Sequence, residues 1–176
     1  MELDKDEARR IAALYMYGIL DTSFEERFDR LTRIAAAIFG TRISLISLVD
    51  ADRQWFKSAY GLKVRETPRK VAFCSHAIND TDVFTVRDAT SDERFAKNPL
   101  VTSDPNIRFY AGAPLITNAG NALGTLCVID DRARADFTAS EKKVLRDLAD
   151  VVMDMFELNH AMRKAQMETR EAKAAR

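Results

Sequence analysis

The residues most able to do chemistry are Cys74 and His76, in the segment FCSHAI. A thiol beside an imidazole becomes a nucleophilic thiolate when the ring takes the proton. The segment reads as a short helix, however, and residues i and i+2 of a helix do not face each other. The sequence supplies no third residue to orient them, so no catalytic set is complete. A buried Cys74 packing as a small hydrophobe is the simpler reading. A redox enzyme or sensor using Cys74, with Cys127, is the alternative. A metal centre has less support: Cys74, His76, Cys127 and His160 show neither CxxC nor HxxxH spacing. Gly112, Gly120 and Gly124 do not make a phosphate-binding loop, and no serine nucleophile elbow occurs.

Recognition is the chemistry that remains. Trp55, Phe73, Cys74, His76, Phe95, Arg108 and Tyr110 are the candidate ligand-binding residues. Such sites are mostly apolar with a few oriented polar groups. Arg108 stands in an apolar strand, where an unpaired charge is costly. An acid from the Asp88–Glu93 region is its expected partner, or an anionic ligand.

These residues need a sheet to hold them. The run from Ile107 to Asp130, IRFYAGAPLITNAGNALGTLCVID, reads as two strands joined by a turn at Asn118-Ala119-Gly120-Asn121. It is apolar on both faces. That implies a central sheet with helices on one side and some other cover on the second. ISLISLVD and RQWFKSAYG form another hairpin around Asp50-Ala51-Asp52. Simple alternation puts Trp55 and Lys57 on one face and Phe56 and Ser58 on the other. Between Leu62 and Asn106 lie short pieces: a polar loop at Arg65–Arg69, a helix in VAFCSHAI, a strand in VFTVRD and a helical turn at Glu93–Ala96. A long segment of this kind inside a compact domain reads as a binding cover.

Helices bracket the sheet. One spans Asp4 to Tyr17, with an Asp4–Glu7 capping box and Gly18 at its end. A second spans Phe24 to Phe39, capped by Ser23–Glu26 and stopped by Gly40, with Phe24, Phe28, Leu31, Ala35 and Ile38 as its apolar stripe. The last begins after Thr138, which forms a capping box with Glu141, and runs to about Ala172. Its residues Leu148, Val151, Met155, Leu158, Met162, Ala165, Thr169 and Ala172 make a heptad seam. That seam predicts a homodimer through the N- and C-terminal helices.

The chain has 176 residues, with 27 Lys plus Arg against 27 Asp plus Glu. That balance argues against nucleic-acid binding. No apolar run suggests a membrane span and no leader is visible, so no membrane partner is expected. Only two cysteines occur, far apart, which fits free thiols in a cytoplasmic protein.

The segments GILDTSFEERFDRLTRIAAAIFG, ISLVDADRQWFKS, FCSHAI, DERFAKNPLV, IRFYAGAPL and LGTLCVID resemble, in order, a GAF domain. The resemblance covers about Leu14 to Leu158 and is to the type found at the N-terminus of bacterial sensor kinases and diguanylate cyclases. It implies an α+β fold with a central antiparallel sheet of five or six strands. The terminal helices would pack on one face, and an irregular cover would enclose a small-molecule pocket on the other. Residues 1–158 would be the sensory domain and 159–176 a helical extension able to form a signalling coiled coil. Bilin-binding relatives carry adjacent Cys and His, whereas Ser75 separates Cys74 from His76. The Asn-Lys of cyclic-nucleotide binders and the third cysteine of the sulfoxide-reducing relatives are missing. The expected function is a non-catalytic sensory module that binds an unidentified small molecule or a partner. No cofactor is named by the residues. A structural dimerisation domain with a collapsed pocket is a further alternative.

Overall fold

The computed structural model describes residues 5–174. Helix α1 (Lys5–Tyr17) and α2 (Glu26–Phe39) precede β1 (Ile43–Val49) and β2 (Arg53–Tyr60). Short elements follow: β3 (Glu66–Pro68), α3 (Cys74–Ala77), β4 (Phe84–Val86) and α4 (Pro99–Thr102). Strands β5 (Phe109–Ile116) and β6 (Ala122–Asp130) lead to α5 (Ala139–Ala174). The six strands form one sheet in the order β3-β2-β1-β6-β5-β4, every pair antiparallel. Expected and observed fold class agree.

Strands β1, β5 and β6 are largely apolar on both faces because both faces are covered. Ile46, Leu48, Phe109, Ala111, Leu126 and Val128 point to α2 and α5. Their neighbours Leu45, Val49, Tyr110, Cys127 and Ile129 point to the irregular cover. The helix side is closed by aromatic pairs, Phe28 with Phe156 and Phe39 with Phe137, at centroid distances of 5.3 and 5.5 Å.

Register corrects the alternation expected for β2. Phe56 lies opposite Ser47 and Ser58 opposite Ile46, so Lys57 is the extra residue of a β-bulge. Ser58 therefore faces the helices with Ile46 rather than sharing a face with Phe56, and its hydroxyl donates to Asp29 at 2.6 Å. Lys57 is 1% exposed and pairs with Glu25 at 2.6 Å. Its ammonium also donates to Thr22 and to the Ser23 carbonyl.

That demand for acceptors explains why α2 departs from expectation. It begins at Glu26 rather than Phe24, and Ser23 does not cap it: Glu25 occupies the cap position, but its carboxylate goes to Lys57 and Arg27 and makes no capping bond. Phe24 and Ile38 are each 53% exposed, and the buried face is Phe28, Thr32, Ala35, Ala36 and Phe39. At the other helices the end signals match. Gly18 and Gly40 adopt positive φ after α1 and α2. The Thr138 amide donates to Glu141 and the Glu141 amide to Thr138, a reciprocal capping box. Asp4 of the box expected for α1 lies outside the described residues.

Helix α1 is fixed at its middle and at its C-terminal end. At mid-helix, the buried Arg10 donates to the carbonyls of Val49 and Ala122 at 2.7 and 3.3 Å. Glu7 holds this guanidinium and that of Arg69, at 2.8 and 2.6 Å. At its C-terminus, Arg163 of α5 donates to the carbonyls of Tyr17 and Gly18. Tyr17 donates to Glu157 at 2.6 Å and stacks on His160.

Candidate functional site

A cavity of about 190 Å³ lies between the sheet and its irregular cover. Ile43, Leu45, Phe56 and Ile129 form its base, while Leu62, Val64, Leu100 and Ile107 close over it. Its polar atoms are few. Gln54 accepts from Ser47 at 3.2 Å and donates to Thr67 at 2.6 Å, and Asp104 stands at the rim. The void exists because its cover is built from elements of three or four residues. Such pieces present no continuous ridge to fill the grooves of a sheet.

Cys74, Phe73 and Tyr110 form the inner end. Tyr110 is fully buried, and its phenol donates to Cys74 Sγ at 3.3 Å. The Thr125 hydroxyl donates to the same sulfur at 3.1 Å. Gly112 makes the Tyr110 pose possible: a Cβ there would stand 2.3 Å from the phenol oxygen. Gly124 answers a different need, since a Cβ there would stand 1.9 Å from the Ser47 carbonyl oxygen of the neighbouring strand. Cys127 is buried in the same cluster as Cys74, two residues along β6 from Thr125 and opposite Gly112, over which the Tyr110 phenol stands. Burial opposes ionisation of Cys74, but its polar surroundings, Cys127 first and then the donating hydroxyls of Thr125 and Tyr110, outweigh it and hold the thiol below its usual range. Burial, with the nearby Cys74 sulfur, pushes Cys127 and Tyr110 well up.

Of the candidate binding residues, Phe73, Cys74 and Tyr110 meet at the cavity, and the other four lie elsewhere. Trp55 sits opposite Leu48 and so faces the helices, under the Arg65 guanidinium. Phe95 packs behind Phe73, ring centroids 4.0 Å apart. His76 is exposed against Phe84 and Phe95; partial burial and the Arg94 charge lower its pKa. Arg108 does not form the expected ion pair. Its guanidinium donates to the carbonyls of Val101 and Ile107 at 2.9 and 3.1 Å; of the expected acids only Asp88 feels its charge, at a distance and as a lesser cause of that carboxyl's lowered pKa.

Ser47, Gln54, Thr67 and Thr125 belong to the cavity and its thiols but were not singled out from sequence. Two of them carry a readable signal. Ser47 pairs directly with Thr125, and Thr125 and Cys127 are two apart on β6, so a polar stripe crosses two apolar strands on one face. Among the described residues no cluster of three or more His, Cys, Asp or Glu could hold a metal ion. No described helix is long and apolar enough to cross a membrane.

The sheet order, the helical layer on one face and the covered cavity on the other define a small sensory-domain fold. The GAF domain family model matches residues 23–154, and the chain belongs to that family. Among curated proteins it is 44% identical over 149 residues to a cyclic di-GMP phosphodiesterase of Pseudomonas aeruginosa. That match covers 85% of this chain and 25% of the relative, so the chain spans about a quarter of that protein's length. The GAF domain of an Acinetobacter phosphoenolpyruvate-protein phosphotransferase superposes with a TM-score of 0.65 at 16% identity, covering 90% of this chain and 97% of that one. A domain of a putative two-component sensor histidine kinase from Sinorhizobium meliloti gives 0.64 at 18%, covering 83% and 99%. Free methionine-R-sulfoxide reductase from Neisseria meningitidis gives 0.64 at 18%, covering 92% and 96%. At these identities the structural likeness concerns the fold.

Proposed function

We propose that this chain is a non-catalytic sensory module that binds a small, largely apolar molecule in the cavity over β1, β2 and β6. The observation that carries the reading is the cavity itself, about 190 Å³ with apolar walls and a few polar atoms. Cavities of roughly 150 Å³ take up single aromatic rings, whereas drug-sized sites run to about 300–1,000 Å³. The ligand is therefore of single-ring size, with one hydrogen-bonding group for Gln54 or Thr67. A mononucleotide is too large for it. An open cavity also favours this reading over a collapsed structural domain. The test is native mass spectrometry of purified protein, followed by binding of the released compound to Leu45→Phe. Binding to wild type and not to the filled variant is expected. Equal binding to both places the ligand elsewhere and defeats the reading.

The reading extends to a cytoplasmic homodimer that regulates an attached output domain. The identity to a segment of a cyclic di-GMP phosphodiesterase supports an output of that class. Exposed apolar side chains concentrate on the helical layer: Tyr15 and Met16 on α1, Ile34 and Ile38 on α2, and Val151, Leu158 and Met162 on α5. A stripe at heptad spacing that its own domain leaves uncovered suits a second copy. Met155, also in the seam, is partly packed on the core, so Leu158→Glu with Met162→Glu is the cleaner disruption. Sedimentation should show dimers for wild type and monomers for this variant; a monomeric wild type at micromolar concentration removes the dimer.

A further inference from the structure

The two cysteines of the chain are far apart in sequence but buried in one cluster: Cys74 at the inner end of the cavity, and Cys127 on the β6 face that carries Thr125, beside the Gly112 over which the Tyr110 phenol reaches Cys74. Cys74 lines the cavity and Cys127 does not, so a molecule entering meets Cys74 first. Hydroxyls of Thr125 and Tyr110 donate to the Cys74 sulfur, at 3.1 and 3.3 Å. A buried cysteine that serves only packing needs no such donors. Donors converging on one sulfur stabilise a thiolate there, and the second thiol stands on the same strand face as Thr125, one of those donors.

We propose that Cys74 and Cys127 form a two-thiol oxidation site for a small organic hydroperoxide admitted through the cavity. The Cys74 thiolate attacks the terminal oxygen of the hydroperoxide. A sulfur–oxygen bond forms, the oxygen–oxygen bond breaks, and the alkoxide leaves as an alcohol with the proton Cys74 released. Cys74 is then a sulfenic acid. The Cys127 sulfur bonds to the Cys74 sulfur, and the hydroxyl departs as water with the Cys127 proton. In sum, two thiols and one hydroperoxide give a disulfide, an alcohol and water. A dithiol reductant restores both thiols by exchange. Apolar walls favour an alkyl hydroperoxide over hydrogen peroxide, which is better solvated outside. The bond would join α3, part of the cover, to β6, which is paired on both sides in the sheet.

The proposal rests on the cavity being open to small molecules, not on its holding a reversible ligand. The reduced 176-residue chain is treated with tert-butyl hydroperoxide or hydrogen peroxide, then denatured and alkylated. Loss of both alkylatable thiols, a mass lower by two hydrogens, and recovery with dithiothreitol are expected, faster with the alkyl hydroperoxide. Cys127→Ser should stop at a sulfenic acid trapped by dimedone, and Cys74→Ser should keep its remaining thiol. Circular dichroism confirms that each variant is folded. Wild-type protein that keeps both thiols overturns the proposal without any variant. Faster reaction with hydrogen peroxide overturns the substrate class, and oxidation that persists in Cys74→Ser overturns the order of events. Ligand binding measured on the reduced protein is read separately, so either result can fail while the other stands.

Discussion

The two faces of the sheet are made by the same strands but covered in different ways. On one side α2 and α5, helices of 14 and 36 residues, lay continuous ridges against Ile46, Leu48, Phe109 and Leu126. On the other, pieces of three or four residues cover Leu45, Phe56, Tyr110 and Ile129 and leave a void. Aromatic content does not separate the faces, since both hold clustered rings. What separates them is the regularity of the cover. A long helix fixes side-chain spacing along its length, while a chain that changes direction every few residues cannot. The cavity is thus a property of the segment between Leu62 and Asn106 rather than of the strands beneath it.

Neighbours on one strand test this directly. Ile46 faces the helices and Leu45 the cavity. Ile46→Ala should cost about 2–5 kcal/mol in chemical denaturation. Leu45→Ala should cost distinctly less, because the side chain it shortens already borders a void. Equal losses would mean that the cavity face is packed as tightly as the helix face. Enlargement should reverse the ranking of tolerance. Ile46→Phe overpacks and should cost roughly 1–3 kcal/mol, whereas Leu45→Phe should fill space and leave the denaturation midpoint unchanged or raised.

Smaller effects come from the charges that tie the covers down. Hydrogen bonds from Arg10, opposed by partial burial and helped by Arg69, lower the Glu7 carboxyl from 4.5 to about 2. The folded chain therefore keeps Glu7 ionised where the unfolded chain protonates it. Its contribution is complete above about pH 4.5 and is lost as pH falls towards 2. Glu7→Gln should lower stability at pH 7 by roughly 1–2 kcal/mol, and the difference from wild type should shrink across that acid window. A difference that stays constant with pH would mean Glu7 acts only by shape. The smallest effect belongs to the cavity cover. Arg108→Ala removes bonds to carbonyls rather than an ion pair and should cost about 1 kcal/mol by the same denaturation assay. A loss several times larger would restore a buried charge partner.

The elements whose signals are local were legible in the sequence. The hairpin of β5 and β6, the Thr138–Glu141 box and the stops at Gly18 and Gly40 each depend on residues a few positions apart. Phe73, Cys74 and Tyr110 were legible as candidates because they stand in apolar segments bordering the cover. Trp55 was assigned to the wrong face because a strand shows which residues share a side, not which side is which. The pairing of Trp55 with Leu48 decides that, and it is a long-range fact. The bulge at Lys57 then breaks the alternation itself. The apolar stripe of α2 was misphased for a related reason: Thr22, Ser23 and Glu25 serve Lys57, a residue more than thirty positions away. Arg108 was matched to acids close in sequence, while the carbonyl of α4 that it meets carries no side-chain signature at all.

Helix α1 works as a strut pinned at two points. Arg10 pins its middle to the last residue of β1 and the first of β6. Arg163 and Glu157 of α5 pin its C-terminal end. Gly18 is part of the second joint, since a Cβ there would stand 2.1 Å from the Arg163 guanidinium. Turning α5 about its long axis must then either unlatch Arg163 or pull on the rim of the sheet at Val49 and Ala122. Torque on the long helix is thereby geared to the strand ends through polar joints at each end of the path, with Leu14 of the strut itself seated in the helix-side core.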